Sequence, residues 1–284
     1  MLKSNSYLLS PAKINLFLQI TRKRQDGYHN IRSLMCCISL YDRIKIIFET
    51  EKILVSCSDP NIPSHEGNTA YKAAKLFFET LDKKDGIEIF IEKNIPVGAG
   101  LGGGSSNAGT VLCALNEHYN FPISKKELIK IACMVGADVP FFIQKKAAIV
   151  TGIGEKIKLF NNLKKFYLVL IFPNFSISTS EIYKNFNLRL TKCRKKNYNY
   201  IFDKLKFNVT DYLCNDLETV TENKYPDIVK IKDTLLSCGA EGALMSGSGS
   251  TVFGLFYSFK EAKNVYESLS KKDNWQLFLA HLLI

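Results

Sequence analysis

Apolar and polar positions alternate along several segments of the first half of the chain, as is typical of half-buried strands. Residues 8–20 form the first of these segments and residues 41–48 the second. Isoleucines alternate with other residues over 87–91, and a further short strand is predicted over 147–151. The alternation therefore predicts strands that are spread through this half of the chain.

Apolar residues recur at helical spacing between these strands. One stripe predicts a helix over Asn68–Leu81, and another follows directly on the segment 96–107. A further predicted helix begins after Ser124, whose hydroxyl can cap its first turn, and ends at Gly136. The stripes consist of Ala70, Ala73, Ala74, Phe77 and Leu81, of Ala108, Val111, Leu112 and Leu115, and of Leu128, Ile131, Ala132 and Val135.

The second half of the chain mixes the same two patterns. Apolar runs predict strands over 166–172 and 251–257. The chain turns polar and basic over 161–165, so we place a boundary there between domains 1–162 and 163–284. Strands and helices mixed within both domains predict the α+β class. The helical stripes of this half consist of Ile228, Ile231 and Leu235, and of Ala262, Val265 and Leu269.

The composition is that of a globular protein, since 46% of the 284 residues are hydrophobic and 23% are charged. The longest apolar run, 166–172, is much shorter than a membrane span. The first residues contain no apolar core of signal-peptide length. We therefore expect a cytoplasmic protein without a targeting signal and without a membrane partner.

The chain contains 8 cysteines, and none of them belongs to a C-x-x-C pair. Zinc sites and thioredoxin-like redox motifs are therefore not indicated. Cys113 and Cys133 fall within or beside apolar helical patterns. We expect the cysteines to be free, buried thiols in a reducing compartment.

The formal net charge of +11 favours anionic ligands. No aromatic stacking motif or recognition-helix pattern accompanies this charge, as nucleic-acid binding would require. We therefore expect no nucleic-acid partner and attribute most of the charge to a lysine-rich composition. The densest basic cluster, in the weakly patterned segment 185–200, consists of Lys192, Arg194, Lys195 and Lys196.

The segment Pro96–Asn107, with the sequence PVGAGLGGGSSN, carries the strongest chemical signal in the chain. Glycine-dense backbone can bring its N–H groups close to a ligand, and the helix predicted behind it adds unpaired donors and a partial positive charge. The combination predicts an anion site, with polyphosphate as the expected anion. The segment fits neither a Walker A motif nor a dinucleotide fingerprint. A flexible Gly/Ser linker is the alternative interpretation.

Four further segments combine polar groups with turns or apolar strands: PAKINL (11–16), DGYH (26–29), GADVP (136–140) and MSGSGST (245–251). Strand alternation places Lys13 and Asn15 of the first segment on one face. Taken singly, each segment also has an ordinary structural interpretation. These interpretations are a strand lysine that reaches solvent, a hairpin, a turn or cap, and a tight loop.

Together, PAKINL, the segment 96–107 and MSGSGST resemble the three motifs of the kinase superfamily named for galactokinase, homoserine kinase, mevalonate kinase and phosphomevalonate kinase. The resemblance extends over nearly the whole chain. It implies an N-terminal α+β domain with a ribosomal-protein-S5-like core and a C-terminal ferredoxin-like α+β domain, with the active site in the cleft between them. ATP is the implied phosphate donor, with Mg²⁺ as the metal.

The DGYH and GADVP segments narrow the resemblance to members that act on a small-molecule cytidine diphosphate substrate. Such members phosphorylate the C2 hydroxyl of 4-diphosphocytidyl-2-C-methyl-D-erythritol in the methylerythritol phosphate (non-mevalonate) pathway to isoprenoids. Two other functions stay open: a related kinase of the homoserine or mevalonate type, and a non-catalytic nucleotide- or RNA-binding protein. The sequence also leaves the oligomeric state open, with a homodimer among the options.

The resemblance implies roles for individual residues near the nucleotide. Lys13 and Asp138 match the catalytic pair, in which the aspartate takes the proton of the hydroxyl and the lysine keeps that carboxylate ionised. Ser105 or Ser106 is the implied ligand of Mg²⁺. The implied ATP-binding residues are Lys93, Pro96, Val97, Gly98, Ala99, Gly100, Leu101, Gly102, Gly103, Gly104, Ser105 and Ser106.

The resemblance also implies a set of residues that bind the acceptor substrate. Tyr28 matches a tyrosine that stacks on the cytosine ring, and His29 matches a histidine that forms a hydrogen bond with that base. Asn15 matches a residue near the reacting hydroxyl. The full implied set is Asn15, Tyr28, His29, Thr179, Gly247, Ser248 and Gly249.

Overall fold

The computed structural model describes residues 7–188, 191, 193, 209–271 and 274–284. The strands are β1 (Leu8–Lys23), β2 (His29–Thr50), β3 (Ile53–Cys57), β4 (Gly86–Glu92), β5 (Ala148–Gly152), β6 (Lys156–Leu159), β7 (Tyr167–Phe172), β8 (Cys214–Asn215), β9 (Gly242–Met245), β10 (Val252–Phe256) and β11 (Gln276–His281). The helices are α1 (Thr69–Thr80), α2 (Gly103–His118), α3 (Lys125–Val135), α4 (Val139–Gln144), α5 (Thr179–Asn185), α6 (Glu218–Lys224), α7 (Asp227–Ser237) and α8 (Phe259–Leu269). A 3₁₀ helix spans Val209–Tyr212.

These elements form two compact units, and each unit is discontinuous in sequence. The first unit comprises Met1–Ala12, Tyr41–Ile95 and Gly102–Lys145, and the second comprises Lys13–Leu40, Pro96–Leu101 and Lys146–Ile284. Strands β1 and β2 contribute residues to both units. The chain therefore passes from one unit to the other several times.

The core of the first unit lies where β2, β3 and β4 pack against helices α1, α2 and α3. Strand β2 pairs antiparallel with β4, with Ile44 opposite Ile91, and β3 pairs parallel with β4, with Val55 opposite Ile89. All four of these side chains are buried in one cluster with the apolar stripes of the helices. The predicted strand faces and helix stripes of this unit are therefore confirmed as its core.

The predicted helix starts at Asn68 and Ser124 are confirmed. The Asn68 side chain accepts a hydrogen bond from the second residue of α1, and Ser124 forms a reciprocal capping box at the start of α3. Helix α3 ends at Gly136, also as predicted. Helix α2 differs from its prediction because it begins at Gly103, inside the glycine-rich segment, where glycine and serine residues adopt helical dihedral angles.

The second unit contains a four-stranded antiparallel sheet in the order β11–β7–β10–β9. Its central strands β7 and β10 pair with Val252 opposite Ile171. The predicted stripes of α7 and α8 are buried in the same core as these two residues. Elsewhere in this unit, β5 pairs antiparallel with β2 and with β6, while β8 pairs parallel with β1.

The elements that the sequence did not predict are mostly short. Strand β8 has only the residues Cys214–Asn215, too few for any alternation to show. Strand β2 begins at His29, well before the predicted start at residue 41. Most residues over 29–38 are buried regardless of the face on which they lie, so the alternation that predicted the rest of the strand is missing there.

The prediction that the cysteines are free, buried thiols is confirmed for Cys36 and Cys37 but wrong for Cys193, Cys214 and Cys133. Cys193 and Cys214 form a disulfide bond across 21 positions of sequence, and Cys133 is exposed. Spacing rules find neighbouring cysteines, whereas tertiary contacts bring this pair together. The Cys193 N–H donates to Asp216 Oδ1 at 3.1 Å, two residues beyond Cys214. The free cysteines of the described residues are Cys36, Cys37, Cys57, Cys113, Cys133 and Cys238.

The sequence led us to expect no membrane partner and pointed to one dense basic cluster. Within the described ranges, no helix has the length and apolar character that a membrane crossing requires. Of the segment 185–200, the structure describes 185–188, 191 and 193. The basic cluster of Lys192, Arg194, Lys195 and Lys196 therefore lies outside the described residues.

Candidate active site

The long glycine loop, residues 96–106, leads the chain into helix α2. Gly100 and Gly102 have φ values of 75° and 70°, in the left-handed region that favours glycine. A Cβ atom on Gly100 would lie 2.0 Å from the carbonyl oxygen of Ser246, so no side chain fits there. No side chain caps the start of α2. Its first backbone N–H groups can therefore donate hydrogen bonds to a bound anion.

The short glycine loop, residues 245–251, lies against the long glycine loop within the second unit. The hydroxyl of Ser246 donates to the carbonyl of Gly100 at 3.0 Å. The N–H of Thr251 donates to the carbonyl of Ala99 at 3.2 Å. Two motifs that are far apart in the sequence therefore meet through direct hydrogen bonds.

Lys13 and Asn15 share one face of β1, as the alternation predicts. Lys13 Nζ donates to Asn15 Oδ1 at 2.6 Å, and Asn15 Nδ2 donates to Ser33 Oγ at 2.8 Å. Both residues are buried, with exposed fractions of 4% and 2%. The backbone N–H of Lys13 donates to the carbonyl of Leu101 at 2.9 Å, and a Cβ atom on Gly247 would lie 3.3 Å from Lys13 Nζ. The first motif therefore touches both glycine loops.

A buried ion pair in the first unit holds the residues that precede the long glycine loop. Lys93 Nζ lies 2.6 Å from Asp42 Oδ2. The other oxygen of Asp42 accepts hydrogen bonds from the N–H groups of Asn94 and Ile95, both at 2.8 Å. A Cβ atom on Gly103 would lie 2.9 Å from Lys93 Nζ, so this ammonium stands at the start of α2. Lys93 is among the site residues predicted from the sequence, whereas Asp42 is not, although a carboxylate inside a predicted strand is a signal for it.

The two serines predicted as metal ligands have different surroundings. Ser106 is fully buried, and its Oγ accepts a hydrogen bond from Ser10 Oγ at 2.8 Å. Ser105 is partly exposed in the first turn of α2. Because Mg²⁺ prefers oxygen ligands and keeps few protein ligands beside phosphates, either hydroxyl suits it chemically. Ser105 offers the more accessible oxygen.

The DGYH turn presents one exposed and one buried ring. Tyr28 is 60% exposed, whereas His29 is 6% exposed. The His29 ring lies 5.5 Å from the ring of Tyr183 and 6.4 Å from that of Phe186, centroid to centroid. Burial, with a smaller contribution from the charge of Lys23, lowers the pKa of His29. A neutral imidazole has one donor and one acceptor nitrogen, which suits recognition of a heterocycle edge.

The remaining predicted substrate residues lie on the short glycine loop or against it. Thr179 Oγ1 is 2.8 Å from Ser248 Oγ. The side-chain amide of Asn215 donates to the carbonyl oxygens of Met245 and Gly247 at 2.8 and 2.7 Å. Asn215, Tyr183 and Phe186 were not predicted from the sequence, because periodicity carries no signal for contacts between distant segments.

Asp138 lies in the first unit, immediately before helix α4. It is partly buried and precedes the buried residues Val139 and Pro140. Its side chain forms no capping hydrogen bond with α4. Asp138 therefore occupies a turn and the N-cap position of α4 without a side-chain cap, at the point where burial begins, as predicted.

The fold and the motifs match those of known kinases. The family profiles described as GHMP kinases N terminal domain and GHMP kinases C terminal match residues 68–146 and 194–274. The structure of a homoserine kinase from Cytophaga hutchinsonii superposes with a TM-score of 0.79 at 18% identity, covering 100% of this chain and 96% of that one. The chain therefore has the two-domain α+β fold of GHMP kinases.

Relatives with higher sequence identity show to which family of GHMP kinases the chain belongs. A 4-diphosphocytidyl-2-C-methyl-D-erythritol kinase from Syntrophotalea carbinolica is 45% identical over 95% of this chain and 96% of its own. The protein of the same name from Alkaliphilus oremlandii is 44% identical, covering 93% and 92%. A crystal structure of 4-(cytidine 5'-diphospho)-2C-methyl-D-erythritol kinase superposes with a TM-score of 0.80 at 31% identity, covering 98% and 99%. The chain belongs to this family of GHMP kinases, and the resemblance drawn from the motifs is confirmed.

Proposed function

We propose that this kinase transfers the γ-phosphoryl group of ATP to the C2 hydroxyl of 4-diphosphocytidyl-2-C-methyl-D-erythritol, giving the 2-phosphate and ADP. The reaction is a step of the methylerythritol phosphate pathway to isoprenoid precursors. The contact of the buried Lys13 with both glycine loops carries this proposal. An ammonium held between two backbone loops is suited to neutralise charge on a transferring phosphoryl group.

The long glycine loop binds the phosphates of ATP in this proposal. Its backbone supplies N–H donors, and the uncapped start of α2 supplies a partial positive charge. Lys93 places its ammonium beside Gly103 at the same helix start, where it offers N–H donors while Asp42 balances its charge. The proposed ATP-binding residues are Lys93, Pro96, Val97, Gly98, Ala99, Gly100, Leu101, Gly102, Gly103, Gly104, Ser105 and Ser106.

The cytosine ring binds at the DGYH turn in this proposal. The exposed ring of Tyr28 provides a surface for stacking, and the neutral His29 provides a hydrogen bond to the base edge. Tyr183 and Phe186 add further apolar rings around His29. Asn15, Thr179, Gly247, Ser248 and Gly249 complete the proposed substrate-binding set.

The chemical step joins the C2 oxygen to the γ-phosphorus while the bond from that phosphorus to the β–γ bridging oxygen breaks. Asp138 accepts the proton that the hydroxyl loses. Lys13 neutralises charge on the transferring phosphoryl group. Because such transfers pass through a loose transition state, alignment and charge neutralisation supply most of the rate enhancement.

Mg²⁺ fits the oxygen donors at the start of α2, where Ser105 or Ser106 would hold it. When bound, the ion neutralises phosphate charge. The partly exposed Ser105 is the stronger candidate of the two, because the Ser106 hydroxyl already bonds to Ser10.

The proposal also covers the domain boundary, the cellular location and the oligomeric state of the protein. A domain boundary at residues 162/163 is supported by the two family profiles, which match 68–146 and 194–274 on either side of it. We propose a cytoplasmic location, and a homodimer is one of the oligomeric states open to the protein. Sedimentation of the purified protein would test the dimer.

The direct test uses purified protein, ATP, Mg²⁺ and 4-diphosphocytidyl-2-C-methyl-D-erythritol, with the product identified by mass. We expect a product heavier by one phosphoryl group, together with ADP. Homoserine and mevalonate serve as control acceptors in the same assay. Phosphorylation of either control in preference to the cytidine substrate would refute the proposed acceptor.

A further inference from the structure

Asn215 occupies a buried position beside the strand that carries Lys13. Strand β8 pairs parallel with β1, with Leu18 opposite Asn215. Asn215 is 1% exposed. Its Nδ2 donates to two carbonyl groups, and its Oδ1 accepts a hydrogen bond from the N–H of Leu217 at 3.0 Å. The side chain therefore has a defined orientation, because swapping its oxygen and nitrogen would break all three bonds.

Both carbonyl groups that Asn215 holds belong to the short glycine loop. They are those of Met245 at 2.8 Å and Gly247 at 2.7 Å. Gly247 also lies close to Lys13 and Asn15, since a Cβ atom there would lie 3.3 Å from Lys13 Nζ and 3.5 Å from Asn15 Oδ1. The Asn215 side chain therefore binds the same backbone that the Lys13 ammonium approaches.

The same backbone also meets the long glycine loop. A Cβ atom on Gly247 would lie 3.2 Å from the carbonyl oxygen of Gly100. A shift of Gly247 would therefore displace both the Lys13 side chain and the long glycine loop. Packed interiors transmit such shifts because they contain little free volume.

We propose that Asn215 is a positioning residue for phosphoryl transfer, which acts by holding Gly247 and thereby placing the ammonium of Lys13. The inference rests on the proposed role of Lys13 in the reaction. Positioning acts mainly on turnover, because a displaced group still allows substrates to bind while it weakens stabilisation of the transition state.

The test replaces Asn215 by aspartate, which has the same shape but presents an oxygen where the amide donated. Two carbonyl oxygens would then face a carboxylate oxygen, and the loop would move away. We expect Asn215→Asp to lower kcat by about 10- to 100-fold, since a misplacement of about 1 Å can cost 10²-fold. The KM values for ATP and for the acceptor should change by less than about threefold, as expected when only transition-state interactions are lost.

A double-mutant cycle separates positioning from a general structural role. In a Lys13→Met background the ammonium is absent, so Asn215→Asp should lower the residual kcat by less than about twofold. Losses that multiply in the double variant would overturn the proposal. Should Asn215→Asp fail to fold, Asn215→Ala removes the same bonds without adding charge and is put through the same cycle.

Asn116→Asp provides the matched control. Asn116 is also buried, and its side chain also bonds to backbone, donating to Ile123 O at 3.0 Å and accepting from Ile123 N–H at 3.1 Å. This variant should lower the melting temperature and leave kcat unchanged. Equal kcat losses in both variants, or wild-type kcat in Asn215→Asp, would contradict positioning. A wild-type protein that forms no phosphorylated product would instead contradict the proposed function.

Discussion

The long and the short glycine loops have similar compositions but are held in different ways. The long glycine loop continues into helix α2, whose start has no side-chain cap. The short glycine loop joins β9 to β10, and Asn215 binds two of its carbonyl groups. One loop therefore presents backbone N–H groups, whereas the other is held through its carbonyl groups by a buried side chain.

The difference shows that glycine serves two purposes in this protein. In the long loop, glycine allows a backbone path that leaves donors for an anion. In the short loop, the absence of a side chain at Gly247 lets the backbone approach Lys13 closely. A glycine-rich composition thus indicates a site but does not say whether the loop binds a ligand or supports a side chain that does.

The largest effect is expected from Asp138→Asn, which removes the proposed base and leaves both glycine loops unchanged. An amide cannot accept the hydroxyl proton, so kcat should fall by ~10²–10⁴-fold. The KM for ATP should stay near its wild-type value, because the proposed phosphate site is the long glycine loop. Steady-state kinetics checks both values. Near-normal turnover would remove Asp138 from the mechanism.

The next largest effect tests the side chain that the short glycine loop supports. Lys13→Met keeps a long apolar side chain but removes the ammonium, which should cost about 2.7–4 kcal/mol of transition-state stabilisation, or about 10²–10³-fold in kcat. Single-turnover measurements with saturating ATP isolate this step. An unchanged rate would show that Lys13 has a structural role only. The short glycine loop would then contribute to packing and not to catalysis.

Gly100→Ala breaks the contact between the two loops. The residue has a φ of 75°, and the new Cβ would lie 2.0 Å from Ser246 O, so we expect a loss of about 1–3 kcal/mol in the free energy of unfolding. The KM for ATP should rise as well. Gly239→Ala is the control, because its φ is 91° but no atom lies within 4 Å of the added Cβ. If both variants raise the KM for ATP equally, the contact between the loops does not matter.

A smaller effect is expected at the proposed cytosine position, since Tyr28 belongs to neither glycine loop. Tyr28→Ala removes an exposed ring that should stack on cytosine, which is worth about 0.5–1.5 kcal/mol. We expect the KM for the cytidine substrate to rise up to about tenfold, while the KM for ATP barely changes. Equal increases for both substrates would place the Tyr28 ring elsewhere than at the cytosine.

The smallest effect concerns the stability of the fold below neutral pH. Burial lowers the pKa of His29 in the folded state below its value of 6.5 in the unfolded chain. As the pH falls below 6.5, the unfolded chain binds a proton first, so the free energy of unfolding decreases until the folded pKa is passed. Urea unfolding of the wild type and of His29→Gln at about pH 7.5 and about pH 5.5 measures this. An identical pH dependence in both proteins would contradict it.

Much of the fold could be predicted because its larger elements have local signals. The isoleucines of β4, the stripe of α1 and the capping box at Ser124 are visible within a few residues of sequence. Strand β8 could not be predicted, because its two residues are too few for periodicity. The disulfide between Cys193 and Cys214 could not be predicted either, since it depends on where β8 is placed against β1.

The residues of the candidate site likewise fall into those that local sequence predicted and those that it did not. Alternation along β1 was sufficient to place Lys13 and Asn15 on one face, and the hydrogen bond between them confirms it. The aromatic neighbours of His29 were missed, because Tyr183 is distant in sequence and belongs to the short helix α5. Local patterns thus predicted single motifs, and their assembly required long-range contacts.

The sequence by itself determined the chemistry that each segment can offer: N–H donors from the long glycine loop, and an ammonium beside an amide from β1. Only the tertiary structure decided what supports these groups. The carboxylate of Asp42 under Lys93 and the amide of Asn215 under Gly247 come from segments remote in the chain. The physical reason is that backbone dihedral preferences and the periodicity of buried positions depend on residues that are close in sequence. A buried hydrogen bond between distant segments depends instead on which strands pair.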